Sequence, residues 1–106
     1  MRLRALIALP LPLLLLCATG VLAEDDGGDF LPYLRHSSQR ETAQRYIDNA
    51  ADKWDGSVFC TPEENRADAR FEAVRRYFED HPEEMWRPRR YLIIQGLRAA
   101  FPCQKK

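Results

Sequence analysis

The chain has 106 residues, 16 of them Lys or Arg and 16 Asp or Glu, so its formal charge is zero, and 45% of its side chains are hydrophobic. That length and balance suit one small folded domain and lack the basic excess that a nucleic-acid partner requires.

Arg2 and Arg4 precede an apolar run from Ala5 to Leu16, and Val21-Leu22-Ala23 supplies small residues for cleavage. The pattern is that of a secretory signal peptide over residues 1–23. The apolar run is about a dozen residues and carries Pro10 and Pro12, whereas a membrane-spanning helix needs about 20. Lipid attachment at Cys17 would want a small residue just ahead of it, and Leu14-Leu15-Leu16 stands there instead. The expectation is an unanchored, exported protein of the periplasm that begins at Glu24. Cleavage removes two arginines and no acid, taking the balance from 16 and 16 to 14 basic and 16 acidic, a net of −2. It also removes Cys17, which leaves Cys60 and Cys103 as the one intramolecular pair in an oxidising compartment. A structural bridge outweighs a thiol nucleophile, since neither cysteine has a histidine close in sequence to act as base.

Residues 24–29 are acidic and glycine-rich and read as a flexible lead, with order expected to begin near Phe30. Phe30, Leu31, Tyr33 and Leu34 form an apolar patch on a short helix started by Asp29, where Pro32 is tolerable only in the first turn. Ser38 and Glu41 have the spacing of a capping box, and Ala43, Tyr46, Ile47, Ala50 and Trp54 mark the core-facing side of a helix ending near Asp55-Gly56. Thr61-Pro62-Glu63-Glu64 repeats the start signal, followed by Ala67, Phe71, Val74 and Phe78 at helical spacing. The charged residues between them read as a solvated face. Pro82 ends that helix around Asp80. Pro88 opens the next, predicted over Arg89 to Ala100, with apolar residues on nearly every side and Gly96 allowing a neighbour to approach closely. No strand and no repeat is expected. The fold class predicted is all-α, a small bundle of three main helices plus a short N-terminal helix, closed by the Cys60–Cys103 disulfide.

The segment Glu79 to Pro88, EDHPEEMWRP, is the densest cluster of versatile side chains. A metal or catalytic loop, a recognition tip and a plain corner between helices are the three readings. His81 beside Asp80, Glu83 and Glu84 lacks the regular His or Cys spacing of zinc sites, and the mature chain contains just His36 and His81, in no catalytic motif. No catalytic, cofactor-binding or metal-ligating residue is therefore assigned, and the chain is read as a binder, not an enzyme. As a corner, His81 packs or caps while Met85 and Trp86 cover the core. As a recognition tip, Glu83 and Glu84, held between two helix breakers, contact a partner, with Trp86 as a further contact.

Phe59-Cys60-Thr61-Pro62, Tyr77-Phe78-Glu79-Asp80-His81-Pro82-Glu83 and Ala100-Phe101-Pro102-Cys103, in that order, resemble the Tai, or Rap-type, immunity proteins of type VI secretion. Tyr46-Ile47 is similar to that family's Tyr-Ile or Tyr-Val pair. The resemblance covers most of the mature chain and assigns residues 30–106 to a Tai/Rap-type immunity-like helical domain. The family's further cysteine pair is absent, since the corresponding regions read Leu34-Arg35 and Ala43. The resemblance implies a periplasmic immunity protein that binds and occludes a peptidoglycan amidase toxin, and it leaves a homodimer open. The alternative is a small periplasmic acid-stress chaperone of the HdeA-like kind, also helical and disulfide-closed, which holds many clients instead of one.

Overall fold

The structure, a computed structural model, describes residues 25–104. Segment 1–23, read from its sequence as a signal peptide and containing Cys17, and the expected first mature residue Glu24 lie outside the described residues. Four helices carry the fold: α1 (Gly27–Arg35), α2 (Arg40–Ala51), α3 (Arg66–Asp80) and α4 (Arg89–Ala100), with single 3-10 turns at Ser37–Gln39 and Pro82–Glu84. The all-α bundle and its short N-terminal helix agree with the sequence pattern, and Cys60 is bonded to Cys103. Among the described residues there is no strand, only two isolated bridges.

The first helix starts earlier than expected. Asp26 caps it by accepting the Asp29 N–H at 2.9 Å. The Gly27 and Gly28 N–H groups donate to the carbonyls of Arg87 and Met85 at 2.9 and 3.0 Å. These are the amides that a helix start leaves without intrahelical acceptors, and here a distant corner of the chain satisfies them. Gly27 is thus buried and helical, inside the stretch 24–29 read as a flexible lead. Pro32 lies beyond the first turn of α1. The carbonyl it leaves without an amide partner belongs to Gly28, an exposed residue that water can reach.

Two start signals do not operate as the sequence implied. The Ser38–Glu41 capping box makes no side-chain cap bond, because Ser38 is taken into the 3-10 turn and α2 begins only at Arg40. Thr61 does not start α3 either. The Cys60 N–H donates to the Phe101 carbonyl at 2.8 Å and the Thr61 N–H to the Asp55 carboxylate at 3.0 Å. That segment is pinned to the end of α4, so α3 waits until Arg66, after Asn65 in a left-handed conformation at φ 52°.

The core is built from one face of each helix. Phe30 and Leu34 come from α1, Ala43, Ile47, Ala50 and Ala51 from α2, Phe71, Val74 and Phe78 from α3, and Leu92, Ile93 and Leu97 from α4. Phe59 adds a buried ring from the α2–α3 link. Phe30 meets Phe78 edge-on at 5.8 Å, a favoured geometry for aromatic pairs. Several residues predicted to be inside are not. Trp54 falls beyond the end of α2 and is 41% exposed, Tyr91 is 42% exposed, and Ala67, Ala99 and Ala100 are also exposed. The fourth helix is therefore buried along one side only.

Gly96 lets α3 and α4 approach closely. A Cβ there would sit 2.9 Å from the Tyr77 Cβ, a backbone-proximal atom that cannot swing aside. Gly96→Ala should therefore cost about 1 kcal/mol net, overpacking of 1–3 kcal/mol being offset by a helix-propensity gain of about 1. Urea unfolding checks this, and a stabilised variant would mean that the two helices separate freely.

Candidate protein-binding site

At the α3–α4 corner, residues 81–88 divide into an inner and an outer set. His81 belongs to the inner set: its ring stacks on Tyr77 at 3.9 Å between centroids, and its Nδ1 lies 2.8 Å from the Tyr77 carbonyl oxygen. It packs and closes the end of α3. Met85 packs against the core, and Gly27 lets α1 come down on it, since a Cβ at Gly27 would lie 2.5 Å from Leu92 Cδ1 and 3.1 Å from Met85 Sδ.

Glu84 is half-buried. It accepts the Tyr77 hydroxyl at 3.4 Å and lies 3.6 Å from the Arg87 guanidinium. Burial, together with the adjacent Glu84 carboxylate, pushes the Tyr77 hydroxyl above its ordinary value. Glu83, by contrast, is exposed.

Trp86 corrects an expectation. It does not cover the core but is 68% exposed. Met85 takes the inward place, and the bonds from Gly27 and Gly28 to the carbonyls on either side of Trp86 fix the backbone that displays it. The Arg87 guanidinium lies over the Trp86 ring at 4.6 Å and over the Tyr91 ring at 5.1 Å, linking the corner to the first turn of α4. Such cation–π contacts restrain both rings without burying them. The corner is thus a backbone-clamped tip whose outer set is Glu83 and Trp86, with Glu84 partly engaged inward.

At the opposite end of α3 lies a charge cluster that no motif announced. Arg70, only 3% exposed, donates to Asp48 at 2.8 Å and Asp55 at 2.7 Å and pairs with Asp52 at 3.0 Å, and Arg66 reaches Asp55 at 2.6 Å. Burial alone would raise the Asp55 carboxyl, but hydrogen bonds from Arg70 and the Thr61 N–H, with the Arg70 charge, outweigh it and hold the group below the ordinary carboxylate range. The cluster ties the end of α2 and the following link to α3, and its acids are occupied by arginines. Arg70 sits among the mixed charges of α3, and nothing in their spacing distinguishes the buried arginine from the solvated ones.

Among the described residues, no group of three or more His, Cys, Asp and Glu side chains is arranged to hold a metal ion. His36 is exposed and far in sequence from His81. Among the same residues no helix is long and apolar enough to cross a membrane.

Neither the curated proteins nor the solved structures compared with this chain gives a match. The family profile of the Rap1a immunity proteins does match, over residues 27–103, from the first residue of α1 to the second cysteine of the bridge. All four helices and the clamped corner fall within that span, and the chain belongs to the Rap1a immunity protein family.

Proposed function

We propose that this chain is a periplasmic immunity protein that binds and occludes a peptidoglycan amidase toxin of type VI secretion, with the α3–α4 corner in the contact. It is exported by the segment 1–23 and acts by occupancy, without catalysis of its own. Family membership supports the immunity role over the chaperone alternative. The observation that carries the choice of surface is Trp86, a large aromatic side chain 68% exposed on a backbone that α1 holds in place. Rigid display of an aromatic anchor lowers the ordering cost of binding, and tryptophan is among the residues most enriched at energetic centres of interfaces. Glu83 flanks it as an exposed charge able to meet a basic rim of the toxin, and Glu84 contributes mainly by bracing Arg87.

The test pairs affinity for the inactive toxin with thermal stability. Trp86→Ala should weaken binding by about 2 kcal/mol, near 30-fold, while stability stays within about 0.5 kcal/mol of the parent. Glu83→Lys should lose affinity alone, whereas Glu84→Lys should lose stability too, since it breaks the contacts to Tyr77 and Arg87. Parental affinity in both Trp86→Ala and Glu83→Lys would remove the corner from the contact.

A further inference from the structure

The large hydrophobic side chains exposed among the described residues are Trp54, Trp86 and Tyr91. Trp54 and Tyr91 line a shared shallow groove with Val58, Pro88, Arg90 and Ile94. Pro88 brings the groove to the edge of the corner, and Arg87 links Tyr91 to Trp86 there. None of the residues lining it is acidic, while Arg90 lines it, Lys53 stands 5.6 Å over the Trp54 ring and Arg87 stands 5.1 Å over the Tyr91 ring.

We infer that this groove is a second, apolar and cation-rimmed part of the partner contact, shaped for an apolar side chain that a protein presents within a ring of Asp and Glu. The inference deepens the immunity reading and rests on it for the identity of the partner. Three large aromatic rings are left exposed on this side of the chain, and the charged residue lining the groove is a cation, which suits a protein contact. The sign selects the occupant. A second copy docked by two-fold symmetry would set Lys53, Arg87 and Arg90 against the same residues of its twin, and like charges facing one another oppose association. A concave groove also suits a protruding side chain better than the plane of a lipid surface. The contact then changes sign across Trp86, acidic at Glu83 and basic along the groove, which fixes the orientation of the partner.

The test uses the mature, disulfide-bonded protein, a random peptide display library and the inactive amidase toxin as separate probes. Panning should enrich peptides with a central Trp, Phe or Leu flanked by Asp or Glu. These should bind Tyr91→Ser and Arg90→Glu at least ten-fold more weakly, lose affinity with added salt, and be displaced by the toxin. Two variants are needed because Arg90→Glu keeps the rings and Tyr91→Ser keeps the charge, and both are checked for an unchanged helical spectrum. Acidic-apolar peptides that depend on Tyr91, with no binding of the toxin, would uphold the groove and defeat the amidase reading, whereas a toxin that binds without displacing them would place the groove outside its contact and overturn the inference. Toxin binding untouched by either variant, with no such peptides, would overturn the groove and leave the amidase reading intact. Two further results would overturn it: conversion of a dimer to a monomer by Tyr91→Ser, or sedimentation with phosphatidylglycerol vesicles that Tyr91→Ser abolishes.

Discussion

Replacing both Cys60 and Cys103 by serine should lower the stability of the fold by about 4 kcal/mol, the chain-entropy value for a loop of this size. The bridge spans 43 positions, so without it the unfolded chain regains a large set of conformations. In a domain of about 80 residues, whose total stability is about 4–12 kcal/mol, that loss is severe and should drop Tm by about 15 °C or more. The local consequence is as specific as the global one. The bridge holds residues 59–61 against the end of α4, where the Cys60 N–H meets the Phe101 carbonyl and Phe59 is buried. Freed of it, the Thr61-Pro62-Glu63 start signal should compete again and lengthen α3 toward its N-terminus. Equilibrium urea unfolding and amide exchange at residues 59–66 check both. A loss below about 1 kcal/mol would mean that the Phe59 packing and the backbone bond suffice without the covalent link.

Arg70→Ala should cost about 3 kcal/mol, because it leaves the nearly buried Asp55 beside an emptied site. Asp48 and Asp52 contribute less, as solvent reaches them and screens their attraction. The same cluster sets a pH dependence whose sign follows from Asp55. Its carboxyl is held below the ordinary range in the folded protein, so its stabilising contribution is complete above the unfolded value near about 4 and disappears as pH falls through the lower folded value. Urea titrations of the parent and Asp55→Asn should therefore differ at pH 7 and converge toward pH 2. A gap of the same size at both ends would show that Asp55 acts through shape and hydrogen bonding, not charge.

Elements and boundaries were legible where a physical rule acts within a few residues. Pro82 stops α3 at Asp80, Pro88 precedes α4 at Arg89, and the apolar spacing of Ala43-Ile47-Ala50 and Phe71-Val74-Phe78 gives the buried faces. The disulfide followed from the expectation of export, which leaves two cysteines to pair, and the family from short motifs at the ends of helices. The start signals at Ser38 and Thr61 failed for a shared reason. A cap is worth about 1 kcal/mol, and a 3-10 turn in one case and the Asp55 carboxylate and the bridge in the other hold the same backbone elsewhere.

What residue type and spacing determined by themselves was the helix count and the main buried positions of α2 and α3. Which aromatics enter the core and which stay exposed was decided by tertiary structure. Trp54, Trp86 and Tyr91 have the same apolar bodies as Phe30, Phe71 and Phe78, and local pattern cannot rank them. Burial depends on whether a distant segment arrives on that side. The amino-terminal turn of α1 docks on the corner and draws Met85 inward, the α2–α3 link turns before Trp54 can reach the core, and α4 meets its neighbours along the side opposite Tyr91. Those long-range choices leave three aromatic rings and their cations together at the surface, 32 or more positions apart between Trp54 and the other two.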